Sequence, residues 1–308
     1  MIGAQHPAHL VALAFVAGAA SAAIGIAYRM GHARGVHTFY IALCMVLGGL
    51  VVFGPRCLSA DLAQVPGWVW AVGVATGLGQ YVTMAMVRPA LALGGLTGLW
   101  CATGLGFLPA TVYARWAFGE QIPPLRGLGV VVGIACVVAA SLRHNERRPR
   151  VEDPARAQGA GGVAAYGAIL GLILLSNGLL TMGVKDLSAR PAGADASYMA
   201  RFGDVYYLIL YATIGVLIGI HLWLQKGPGV SLRRLAPAGL LAAAGSVLAM
   251  GSLQACGVLP AALVFTIFGV VSILGAAVVS VIAFGEKPTG LWIATVALAV
   301  AAVVLVQL

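Results

Sequence analysis

The four residues Ala117-Phe118-Gly119-Glu120 return near the other end of the chain as Ala283-Phe284-Gly285-Glu286. Each copy follows a long apolar run and precedes another, Leu125 to Ser141 in the first case and Leu291 to Val306 in the second. Superposing the copies without a gap also sets Met84 on Met250, Ala110 on Ala276, Leu125 on Leu291 and Val138 on Val304. Alanine-rich matches arise easily in apolar sequence, so it is the equivalent placement of the two copies that marks a duplication. Self-similarity of this kind reports architecture before any single residue does.

What is duplicated must be a membrane unit. Hydrophobic residues make up 61% of the 308 positions and charged residues only 9%, against about one half and one quarter in soluble globules. The mean hydropathy of +0.98 is spread along the whole chain, in runs of about the 17 to 25 residues that cross a bilayer as helix. Strands are excluded for such runs, since a lone strand leaves its backbone unpaired in hydrocarbon. The first ten residues hold neither Lys nor Arg, so the first run reads as a retained span and not as a signal peptide. Cys44, Cys57, Cys101, Cys136 and Cys256 are scattered without metal or paired spacing and read as small packing residues. The formal charge of +9 lies between apolar runs, not on one face, which argues for a topological use and against nucleic acid.

Ten runs are expected to form helices: Leu10 to Ala27, Phe39 to Phe53, Trp68 to Val87, Leu91 to Tyr113 and Gly127 to Leu142, then Val163 to Val184, Met199 to Trp223, Leu235 to Cys256, Val258 to Phe284 and Pro288 to Val306. They divide the chain into a five-helix repeat at 1–142, a polar linker at 143–162 and a second five-helix repeat at 163–308. The linker's mixed charges, Pro and Gly predict a solvated connector. The predicted fold class is an all-α integral membrane protein with ten transmembrane helices in two inverted repeats. An odd number of spans per repeat threads the second copy through the bilayer in the opposite sense, an arrangement transporters use to open a midplane site to each side in turn.

Glycines spaced by four, such as Gly73 and Gly77 or Gly129 and Gly133, predict close helix approaches. Pro109 and Pro260, each inside an apolar run, predict a bend or a hinge. Alternating assignment of Lys and Arg places the linker in the cytoplasm and both termini outside.

The paired Phe118-Gly119-Glu120 and Phe284-Gly285-Glu286 junctions, the short span after each, Arg201-Phe202 opening the second span of the second half, and the basic Arg29 and Lys185 ending each repeat's first span resemble the ten-span, EamA-like members of the drug/metabolite transporter superfamily. The resemblance covers essentially the whole chain. It implies two five-helix repeats, transport of a small metabolite, and cytoplasmic termini, opposite to the charge count. The chain departs from the pattern in its first spans, where Ser21-Ala22 and Asn177-Gly178 replace a Trp-Gly pair, and at Leu43, which stands where the first half would match Arg201.

Ionisable groups inside a bilayer cost about 2.5 to 3.5 kcal/mol at a helix centre, so each is a candidate for function. Asp204 is the one acid placed within a run, and burial would fit it for proton coupling. The competing structural reading pairs it with Arg201 one turn earlier. The first span lacks the glutamate that half-sized relatives use to expel lipophilic cations. The excess of Arg29, Lys185 and Arg201 favours an amino-acid-like or anionic substrate, with snorkelling of Arg29 and Lys185 as the alternative. Gln80, Tyr81, Trp100, Asn177, Tyr198 and Gln254 supply the amides and aromatics of an expected pocket, although tyrosine and tryptophan also gather at lipid interfaces. The expected substrate-binding set is therefore Gln80, Tyr81, Trp100, Asn177, Tyr198, Arg201, Asp204 and Gln254. Glu120 and Glu286 are expected to cap the helix that follows each.

These features predict a secondary active or facilitative transporter, with export as the expected direction, in the cell inner membrane as a monomer or homodimer. Its partners are a small molecule and the bilayer, with no cofactor, metal or nucleic acid. A membrane-embedded enzyme is the rival, but the six histidines lie apart without HExxH spacing, no GxSxG occurs, and no two acids share a span. A scaffold that does not transport is the third reading.

Overall fold

The computed structural model describes residues 8–58, 62–143, 159–190, 198–225, 229–256 and 261–307. Among them no strand occurs, and the helices are α1 (Ala8–Ala33), α2 (Thr38–Cys57), α3 (Gly67–Leu93), α4 (Leu96–Gly104), α5 (Phe107–Phe118), α6 (Pro124–Leu142), α7 (Gly159–Ala189), α8 (Tyr198–Leu224), α9 (Leu232–Ala255), α10 (Ala261–Phe284) and α11 (Gly290–Gln307), with a short 3-10 turn at Leu62–Gln64. Seven of these, α1, α2, α6, α7, α8, α9 and α10, are long and apolar enough to cross a membrane. Their outer faces carry large apolar side chains in the open, among them Val51, Val131, Val216 and Ile282, as helices facing lipid would. α3 has the length, but its Gly, Thr, Gln and Arg residues lower its hydropathy, and α11 is short.

Nine of the expected runs each become one helix, and the fourth becomes two. Its first residues, Leu91 to Leu93, finish α3, and the remainder breaks between Gly104 and Phe107. The cause is Pro109, which has no N–H to give the carbonyl four residues back. Leu105 O turns instead to the N–H of Leu108 at 2.9 Å, and the N–H of Gly106 tightens onto Thr103 O at 3.1 Å. α10 runs unbroken through the corresponding stretch, where Gly275 stands in place of Pro109. Pro260 lies outside the described residues.

The recurring tetrapeptide is a helix stop. Gly119 and Gly285 both take the left-handed conformation, with φ of 65° and 63°, which glycine adopts without the clash a Cβ would bring. In each copy the glutamate N–H reaches back six residues, Glu120 to Ala114 O at 3.4 Å and Glu286 to Ser280 O at 2.9 Å.

Principal neighbours come from across the chain. α1 packs on α9 and α10, α7 on α3, α4 and α5, α2 on α8 and α9, α8 on α2 and α3, and α6 on α11. Glycine makes the closest of these approaches possible: a Cβ on Gly73 or Gly77 would stand 2.8 Å from Ile209 or 2.6 Å from Thr213 of α8. Gly129 and Gly133 meet Val306 and Leu108 as closely, whereas Gly171 and Gly219 face open space and make no such approach.

Two expectations about charged residues change. The linker was expected to begin at Arg143, but this residue is buried and its guanidinium lies 3.2 Å from Glu286. The connector is also shorter than 143–162, since α7 already begins at Gly159; residues 144–158 lie outside the described residues. Glu286 does cap a helix, but not the one that follows it. Its Oε1 accepts the N–H of Leu96 at 2.7 Å and its Oε2 the hydroxyl of Thr97 at 2.7 Å, closing the start of α4. Glu120 makes no cap on α6, the helix that follows it, and pairs with Lys185 of α7 at 2.6 Å in a half-exposed position.

Burial separates the two motif glutamates. Glu286→Ala removes the carboxylate from a buried ion pair and an N-cap together and should cost about 3–5 kcal/mol, whereas Glu120→Ala should cost about 0–1 kcal/mol because its pair is solvated. Thermal unfolding of the two variants in detergent checks the contrast.

Candidate functional site

A central cavity of about 120 Å³ is lined by residues of α1, α2, α3, α4, α5, α7, α8, α9 and α10. Three of the residues singled out from sequence, Gln80, Trp100 and Asn177, line it. The break between α4 and α5 explains why Asn177 is there. A broken helix leaves carbonyls that must find donors inside the protein, and α7 supplies two. Asn177 Nδ2 donates to Thr103 O at 2.7 Å, and Thr181 Oγ1 donates to Gly106 O at 2.7 Å. Gln80 Nε2 of α3 then donates to Asn177 Oδ1 at 2.9 Å, joining the cavity wall to the break through one relay.

Across the cavity the indole of Trp100 donates to Ser272 Oγ at 3.1 Å, and Ser272 donates to Ser21 Oγ at 2.9 Å. Gly25 is the seat of the indole, since a Cβ there would lie 2.7 Å from the ring. Tyr211 and Ser246 share a hydrogen bond at 2.6 Å, as do Thr83 and Ser176 at 2.7 Å. The phenol of Tyr28 is turned onto Met45 Sδ at 3.3 Å. Most polar side chains of the wall are thus spent on internal bonds. Gln80 Oε1 and the second amide hydrogens of Gln80 and Asn177 have no partner among the described residues.

The wall is unequal along its length. Tyr28, Met84, Val87 and Trp100, toward the end that carries Glu286, are buried, whereas Thr181, Val184, Leu253 and Phe265, toward the end that carries Glu120, are partly exposed.

The other five sequence candidates stand elsewhere. Tyr81, next to Gln80 in α3, faces away from the cavity, stacks on Phe39 at 5.7 Å and bonds His221 Nδ1 at 2.9 Å. Tyr198 packs edge-on against Trp68 at the start of α8. Arg201 is exposed and donates to Gln64 Oε1 at 2.5 Å. Asp204 meets Arg56 of α2 at 3.7 Å and accepts Gln254 Nε2 at 3.2 Å, so Arg201 is not its partner as the spacing suggested. Arg56, Asp204 and Gln254 form a polar cluster where α2 and α9 finish and α8 begins. Arg29 and Lys185 lie over the rings of Phe284 and Phe118 at 5.8 and 5.9 Å.

Sequence reasoning passed over Tyr28, Thr181, Tyr211 and Ser246. A usable signal existed for one of them, because the superposition that aligns the tetrapeptides sets Ser246 on Gln80. Among the described residues no group of His, Cys, Asp and Glu is placed to hold a metal.

Because Asn177 serves a backbone carbonyl while Gln80 serves only Asn177, their removal should differ. Asn177→Leu should destabilise the protein by about 1–3 kcal/mol and Gln80→Leu by clearly less, as read from melting temperatures of the two variants.

No known protein family matches the chain, and no curated protein matches it. Solved structures do. One of them, described only as "Crystal structure of protein", aligns over 97% of this chain and 96% of its own with a TM-score of 0.58 and 17% identity. At that identity the likeness concerns the fold alone.

Proposed function

We propose that the chain is a secondary transporter of a small metabolite, working by alternating access, with ten spans in two five-helix units of opposite orientation. The observation that carries this reading is a set of close contacts that exchange when the halves are exchanged. A Cβ on Gly79 of α3 would stand 2.6 Å from Ser176 O of α7, and one on Gly245 of α9 would stand 2.8 Å from Ala20 O of α1. Gly178 of α7 abuts Pro109, and Gly275 abuts Ala22 of α1. Gly73 meets Ile209 as Gly239 meets Cys44, and Gly77 meets Thr213 as Gly48 meets Ala243. The rings of Phe118 and Phe284 lie under Lys185 and Arg29.

A single residue shift relates each pair of helices. Gly79 matches Gly245 as Phe118 matches Phe284, Ala20 matches Ser176 as Arg29 matches Lys185, and Cys44 matches Ile209 as Gly48 matches Thr213. The last correspondence revises the alignment of α2 with α8. The counterpart of Arg201 becomes Val36, ahead of the first turn of α2, and not Leu43. An exchange of this kind is expected from a half-turn about an axis in the membrane plane, and a cavity lined by residues from before and after the connector supports the same reading.

Two further observations support a carrier. The wall is buried toward one end and partly exposed toward the other, as in a conformation facing one side. The break in the α4–α5 helix touches the cavity, where discontinuous helices of transporters form their sites. The tetrapeptide junctions support membership of the EamA-like branch of the drug/metabolite transporters, in the cell membrane. An embedded enzyme has less support, since none of the described residues of the cavity wall is an acid, base or nucleophile arranged for chemistry.

Counterflow in proteoliposomes tests the reading. Vesicles preloaded with an unlabelled solute should take up the labelled solute transiently above its outside concentration, which no scaffold or hydrolytic enzyme does. On a background without the native cysteines, Val184→Cys should react with a water-soluble maleimide and Val87→Cys should be protected, and a transported solute should narrow the difference. Absence of counterflow for every solute that binds refutes the proposal.

A further inference from the structure

The cavity differs from the sequence expectation in one chemical respect: none of the described residues that line it is Lys, Arg, His, Asp or Glu. The charges expected to meet an anion stand elsewhere, Arg29 over the ring of Phe284, Lys185 with Glu120 and Arg201 with Gln64. Helix termini do not replace them. At the break, Asn177 serves Thr103 O at the end of α4 and Thr181 serves Gly106 O just before α5, while at the start of α5 the Leu108 N–H is used internally and Pro109 has none. An ion entering this wall would lose its hydration and gain no counter-charge, a cost that excludes it against a neutral molecule of equal size.

What the wall offers is aromatic surface, flexible thioethers and the unused half of one amide, Gln80 Oε1 and its second N–H. Tyr28, Trp100, Tyr211 and Phe268 border the space, with Met45 and Met84 able to repack around different shapes. A cavity near this size admits a single six-membered ring, and the partly exposed end leaves room for a substituent. Gln80 presents a carbonyl acceptor and an amide donor side by side, the pattern complementary to a primary amide or an acid's neutral analogue.

Resting on the transporter reading for why a solute should enter at all, we propose that this site takes an uncharged, mostly apolar solute of single-ring size, gripped by hydrogen bonds to the side-chain amide of Gln80, and that it rejects carboxylates and ammonium ions. The anionic substrate expected from the excess of basic residues does not fit this wall.

Three probes of nearly equal shape separate the charge states: benzamide, benzoate and benzylammonium. Equilibrium dialysis against the purified full chain in detergent should show benzamide binding at least about a hundredfold tighter than either ion at neutral pH, given the cost of burying an unpaired charge. Gln80→Leu should weaken benzamide by about tenfold. Gln80→Glu should turn the preference toward benzylammonium, a reversal that a damaged fold would not produce. Binding of benzoate or benzylammonium as tight as benzamide overturns the proposal, as does binding of none of the three, or the same benzamide affinity in native protein and both variants. Because dialysis reads binding without flux, benzamide selectivity without counterflow defeats the transporter reading and leaves this one standing. Counterflow of an ionised solute that competes with benzamide defeats this one alone.

Discussion

A peptide carbonyl that leaves its helix in an apolar surrounding has no water to turn to, and the centre of this protein is arranged around one place where that happens. Pro109 withholds an N–H, the helix parts at Leu105 and Gly106, and α7 must bring side-chain donors to the exposed end. Asn177 and Thr181 meet that need. To reach the break, α7 has to pack closely along α3, α4 and α5, which small residues such as Gly79, Gly106 and Gly178 permit. The cavity is the space left beside the break, and the residues that mend it, Asn177 and Thr181, stand in its wall.

The ends of the helices follow another rule. Charged groups there either reach the outside or find a partner, and the two copies of one motif have taken the two courses. Glu120 keeps a half-exposed bond with Lys185, while Glu286 is drawn inside to hold Arg143 and the first turn of α4. The difference lies in the neighbours. α4 begins beside Glu286 and offers unsatisfied N–H groups, which a carboxylate at a helix start satisfies at a gain. Equal motifs are thus put to different uses by unequal surroundings, and the helices that lead into them differ likewise, broken in α4–α5 and continuous in α10.

Sequence and structure agree where the property is local. The helical runs were legible because hydrophobic length speaks directly to the medium a segment occupies, whereas the glycine stops emerged only with the φ values of 65° and 63° at Gly119 and Gly285. Gln80, Trp100 and Asn177 were legible as polar or aromatic interruptions in the middle of apolar runs. Tyr81 was misplaced by rotation, since a neighbour in a helix points about 100° away and its phenol turns to His221. Arg201, Asp204 and Gln254 were misplaced along the axis, being close to helix ends that the apolar pattern could not locate to within a turn.

By itself the sequence determined that the chain is helical, that its helices suit an apolar medium, and that one tetrapeptide recurs between apolar runs, because periodicity, composition and repetition are properties of the string. Only the tertiary structure decided which polar groups meet. Asn177 with Thr103, Glu286 with Leu96 and Asp204 with Arg56 are between 74 and 190 residues apart or belong to different helices. Their meeting depends on how each helix is rotated and displaced along its axis, quantities set by the packing of small residues against whole neighbouring helices. The absence of charge among the described residues of the cavity wall is a fact of the same kind, a consequence of where the arginines and acids lie and not of how many there are.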